Sequence, residues 1–167
     1  RLSYGEVWID PIRGHKVGCL DATNPFDVTS LMSDELANLA IHDPPYNLVA
    51  FDRKDISEYI AWCKKWIALT WSALGMDSAF YVWLGADQNQ HFQPLPEFML
   101  LMREFPFESR SFITMRNQRG YGTQKNWMAI RQELLYYTKG TPPFRVQYTD
   151  IPKILRGYYK EVGGEMT

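Results

Sequence analysis

Asn38-Leu39-Ala40-Ile41-His42 is a brief apolar run that stops abruptly at Asp43-Pro44-Pro45. Neither proline carries an amide proton, and each drives the residue before it out of the helical region. The run therefore reads as an inner strand that ends at a functional loop. Working outward, residues 55–74 repeat side chains at spacings of three and four: Ile56, Tyr59/Ile60, Cys63, Trp66/Ile67, Thr70/Trp71 and Leu74. Glu58, Lys64 and Lys65 lie off that stripe, which predicts a helix with Gly75 just past its end. Ala79-Phe80-Tyr81-Val82-Trp83-Leu84, rich in aromatic and branched residues and closed by Gly85, reads as a buried strand. Strand, long helix and strand in this order make a βαβ unit on a parallel sheet.

The flanks extend that unit. Val7-Trp8-Ile9 and Lys16-Val17-Gly18-Cys19-Leu20 are short extended segments around a turn at Asp10–Gly14, and a short helix is expected at Asp34–Leu36. Phe98–Phe105 reads as a further helix, with Pro96 near its start. Ser111–Arg116 and Glu133–Thr138 are strand candidates around the polar, glycine-bearing segment Asn117–Gln132, and together they suggest an antiparallel edge. Gly140-Thr141-Pro142-Pro143 breaks the chain, and a weak helical pattern follows. The 167 residues suffice for one domain of ordinary size. The expectation is one three-layered α/β domain over residues 1–167, or part of one. Neither the start at Arg1 nor the end at Thr167 closes an element, so the domain is expected to be incomplete and to belong to a longer protein.

Hydrophobic residues make up 46% of the chain and 25 residues are aromatic, which excludes a disordered chain. No run approaches 18 apolar residues, so no membrane span is expected. Cys19 and Cys63 are too few for a disulfide scaffold or a cysteine zinc site, and His15, His42 and His91 show no metal-ligand spacing. A reduced, metal-free, cytoplasmic protein is the economical expectation. The net charge of −1 conceals a division. Between Arg110 and Lys160 stand ten basic residues against Glu133 and Asp150, a local +8, while the rest of the chain carries −9. A polyanion responds to such local potential more than to the total, so residues 110–160 are expected to face nucleic acid.

Asp43-Pro44-Pro45-Tyr46 carries the chemistry. It sets a carboxylate, two rigid residues and an aromatic ring at the carboxyl end of a parallel strand, where open α/β sheets bind ligands. An exocyclic base amine offers two hydrogens beside a planar ring. A carboxylate and a backbone carbonyl can accept those hydrogens while Tyr46 stacks on the ring, leaving the amine nitrogen able to attack an electrophilic methyl group.

The motif resembles that of the amino-methyltransferases of DNA. More narrowly, the chain is similar to the circularly permuted group in which the catalytic half precedes the half that binds S-adenosylmethionine. Gly18-Cys19-Leu20-Asp21 resembles the motif opening that catalytic half, with Cys19 where the family usually has Asp. Gln124–Trp127 through Glu133–Gly140 resembles the later portion that closes the pocket and approaches DNA. The Phe-x-Gly-x-Gly cofactor loop of the following half is absent.

The resemblance implies a Rossmann-like, S-adenosylmethionine-dependent methyltransferase fold, with a mostly parallel sheet and an antiparallel edge. It implies methylation of adenine N6 in a base flipped from double-stranded DNA, in the setting of DNA methylation and restriction–modification. Asp43, Pro44, Pro45 and Tyr46 become the catalytic residues, and Cys19, Leu20, Asp21 and Asp43 the cofactor-binding ones. The implied partners are DNA, the cofactor-binding half from the same protein or a second chain, and a homodimer partner. Cytosine-N4 methylation is the nearest alternative, and a non-catalytic DNA-binding subunit is an alternative of a different class.

Overall fold

The computed structural model describes residues 1–45, 55–84, 94–123 and 126–145, with the backbone alone described over 116–123 and 126–131. Its elements run β1 (Val7–Ile9), β2 (Lys16–Gly18), α1 (Pro25–Met32), β3 (Ala37–His42), α2 (Ile56–Ala73), β4 (Leu74–Leu84), α3 (Pro94–Leu101), β5 (Glu108–Thr123) and β6 (Asn126–Lys139). A single 3-10 turn, Met102–Glu104, follows α3.

The α2 helix begins where its sequence provides for the orphan amides of a first turn. The Asp55 carboxylate accepts from the Glu58 amide at 2.8 Å, and the Glu58 carboxylate accepts from the Asp55 amide in return. Its stripe of Tyr59, Cys63, Trp66, Ile67 and Thr70 is buried. At the far end Gly75 does not take the left-handed backbone conformation of a terminating glycine, because the chain passes directly into β4. Lys139 of β6 supplies the cap instead. Its Nζ donates to the carbonyls of Trp71 and Leu74 at 2.9 and 2.6 Å and lies 4.3 Å from the Trp71 ring centre. The next residue, Gly140, has φ +72°, and a Cβ there would stand 2.5 Å from the Asp77 carboxylate that accepts the Thr141 amide.

Four strands form one mixed sheet in the order β3-β4-β6-β5, and β1 and β2 pair separately. β3 lies parallel to β4, as the βαβ pattern predicts, with His42 opposite Val82. The other two pairings are antiparallel, so the expected antiparallel edge is present. Alternate residues of β4 and β6, among them Phe80, Val82, Leu84, Leu135 and Tyr137, pack against α2 and α3 as one core with Trp66 and Phe98. Cys63 is fully buried there, and burial pushes its thiol pKa up to about 12. It is a structural residue.

Three expectations need correction. Asp34–Leu36 is a turn and coil, and the helix lies earlier, at Pro25–Met32. Asn24 caps it and Pro25 opens it, a start signal that its low amphipathicity hid. The helix expected at Phe98–Phe105 begins at Pro94 and ends at Leu101. β5 and β6 are far longer than their apolar cores suggested, since the polar segment between them is itself paired. The expected weak helical pattern after Pro143 lies almost wholly outside the described residues.

Candidate active site

His42 is the last residue of β3, and Asp43, Pro44 and Pro45 follow it immediately. The motif therefore stands at the carboxyl end of the parallel pair, the ligand-binding edge of such sheets. Asp43 is exposed, Pro44 buried and Pro45 half-buried. Tyr46 and Asn47 lie outside the described residues.

Two contacts from α2 hold this strand end. The Tyr59 hydroxyl donates to the Pro45 carbonyl at 3.2 Å. Three residues short of the helix end, Thr70 Oγ1 donates to the Trp66 carbonyl at 2.7 Å and lies 3.3 Å from His42 Nε2. The single hydroxyl proton is committed to Trp66, so Nε2 is the donor to Thr70. The imidazole stacks on Trp66 and meets Phe80 edge-on. Burial among these groups lowers its pKa from 6.5 to about 4, so His42 is neutral at physiological pH. Sequence reasoning missed both roles. Tyr59 looks like any other member of an apolar stripe, and His42 lacks the spacing of a metal ligand.

A cleft of about 340 Å³ opens beside β3. It runs from Ala37 to His42, with Trp66, Leu69 and Thr70 on one wall and Leu20, Asp21, Ala22 and Val28 on the other. Leu20 and Asp21 line the same cleft as β3. Cys19 is exposed and does not line the cleft. Asp21 Oδ1 accepts from the Thr23 amide and hydroxyl, both at 2.8 Å, so this carboxylate also shapes its own turn. No group of three or more metal-binding side chains occurs among the described residues.

The register of the antiparallel strands places the basic segment. Leu84, at the carboxyl end of β4, pairs with Glu133 of β6. Residues 126–132 of β6 therefore continue past that end, paired with β5 as far as Asn126 opposite Thr123. At about 3.3 Å per residue they make a two-stranded arm reaching roughly 20 Å beyond β4, on the side where Asp43 sits. Its backbone carries Arg116, Arg119 and Arg131, and Lys125 falls outside the described residues.

Residues 37–162 match the family model described as DNA methylase, of the N6/N4 class. Among solved structures, the chain is similar to the M1.HpyAVI–SAM complex, at 14% identity and a TM-score of 0.50, over 76% of this chain and 56% of that one. It is similar to the cytosine-N4-specific PvuII DNA methyltransferase, at 15% identity and a TM-score of 0.54, over 76% of this chain and 50% of that one. These likenesses carry the α/β Rossmann-like methyltransferase fold. The chain spans between one half and three fifths of the length of these structures.

Proposed function

The chain belongs to the N6/N4 DNA methylase family, and from that membership we propose that it supplies the catalytic half of an S-adenosylmethionine-dependent DNA methyltransferase acting on adenine N6. The observation that carries this reading is the position of Asp43-Pro44-Pro45 at the carboxyl end of β3, on the side toward which the β5–β6 arm projects.

Asp43 accepts one hydrogen of the target amine and the Pro44 carbonyl accepts the other. Tyr46 stacks on the flipped base, returning about 1–3 kcal/mol of the unstacking cost. Asp43 need not be a strong base. The amine becomes acidic only as it is methylated, so an acceptor aimed at the developing positive charge suffices. The arm meets the phosphates of double-stranded DNA. The cofactor supplies an electrophilic methyl group.

This cleft, with Leu20, Asp21 and Ala22 in its lining, suits the adenosine portion of such a cofactor, while Cys19 is exposed and outside that lining. Among the described residues β3 pairs with β4 alone, and its Ile41 and Leu39 are 64% and 47% exposed. Parallel strands are ordinarily covered on both sides. A strand bearing the glycine-rich cofactor loop, from elsewhere in the protein or from a second chain, would lie along this edge.

The test is labelled methyl transfer by the complete protein to duplex DNA, with the product digested to nucleosides. Label in N6-methyladenine is the expected result. Label in N4-methylcytosine would reassign the base. DNA binding with no incorporation, the cofactor-loop segment being present, would leave a non-catalytic subunit.

A further inference from the structure

We propose that Tyr59 is a positioning residue for the Asp43-Pro44-Pro45 loop, acting through its hydrogen bond to the Pro45 carbonyl; the proposal rests on the methyl-transfer reading above. Tyr59 is 2% exposed, and its ring packs against Trp62 at 5.7 Å. A phenol buried to this degree needs a partner for its hydroxyl. Pro44 and Pro45 can offer carbonyls only, since prolines have no amide proton.

The choice of carbonyl has a chemical consequence. Pro44 and Pro45 present successive carbonyls, either of which could take the second hydrogen of the target amine. Tyr59 holds that of Pro45 toward α2, which leaves that of Pro44 for the substrate. Seven and eleven residues further along the same helix face, Trp66 and Thr70 hold His42. Asp43 is thus suspended between two anchors on one rigid, capped helix. Positioning of this kind acts on the reacting geometry, and a displacement near 1 Å can cost about 100-fold in rate.

The experiment compares Tyr59→Phe with Trp62→Phe in the complete protein. Single-turnover methyl transfer is measured at saturating DNA and cofactor, alongside both dissociation constants and the thermal midpoint. Tyr59→Phe keeps the ring and loses only the donor. It is expected to slow transfer about 10-fold, to leave both dissociation constants within about twofold, and to lower the midpoint by about 2–4 °C. Trp62→Phe disturbs the same helical turn and keeps the Tyr59 hydroxyl, and is expected to lower the midpoint with little change in rate. An unchanged rate for Tyr59→Phe, or an equal loss of rate in both variants, would overturn the positioning role while leaving the methyl-transfer reading intact. A wild-type protein that transfers no methyl group to any DNA would overturn that reading and this role with it.

Discussion

The imidazole of His42 lies against the indole of Trp66, with ring centres 5.1 Å apart and planes 18° from parallel. This pair joins the last residue of β3 to the middle of α2, directly behind Asp43. It also couples the integrity of the strand end to protonation. The folded pKa of His42, about 4, lies below the free value of 6.5, so between these values the unfolded chain binds the proton more readily. The stabilisation is complete above pH 6.5, is lost as pH falls from 6.5 toward 4, and changes little below.

Chemical unfolding measured across that window should therefore show stability declining with acid by an amount on the order of 3 kcal/mol attributable to this residue. His42→Phe keeps an aromatic ring beside Trp66 and removes the titration. Its unfolding free energy should fall less steeply between pH 6.5 and 4. An equally steep decline in the variant would assign the effect to other groups.

Replacing Asp43 by Ala should abolish methyl transfer in the complete protein while leaving DNA affinity within a few-fold. One carboxylate orients one amine, whereas binding energy is spread over phosphate contacts. Labelled-methyl incorporation and DNA binding, followed side by side, check this. Turnover at the wild-type rate would remove Asp43 from the mechanism.

Neutralising Arg119 and Lys125 together should weaken binding to specific and unrelated DNA by similar factors. Each lost phosphate contact lowers the logarithmic salt slope by close to one unit. Titrations at several salt concentrations read both quantities. A loss confined to the preferred sequence would place at least one of the two on a base edge. Unchanged affinity and slope would show that both are solvated charges.

Lys139→Met should destabilise the domain by about 2 kcal/mol. The variant keeps the aliphatic stem but leaves the Trp71 and Leu74 carbonyls without their charged donor. Urea unfolding should give a lower midpoint with an unchanged slope. A midpoint equal to that of the wild type would mean that solvent replaces the ammonium at no cost.

What local chemistry decides was legible in the sequence. The period of Tyr59, Cys63, Trp66 and Thr70 made α2, and the prolines after Asp43 ended β3, because both effects act over a few neighbouring residues. The motif resemblance pointed to the N6/N4 DNA methylase family. The same local logic failed at Pro25–Met32, where the start signal of Asn24 and Pro25 was present but the apolar stripe was weak. Only the tertiary structure decided which distant groups meet. Lys139, not Gly75, caps α2, because strand pairing carries an ammonium to the helix end. The β5–β6 arm rises on the side of Asp43 because Leu84 happens to pair with Glu133, and no periodicity within either strand encodes that register. Tyr59 and His42 acquire their roles because packing α2 onto β3 strips water from a hydroxyl and an imidazole, leaving them to satisfy their hydrogen bonds at the strand end.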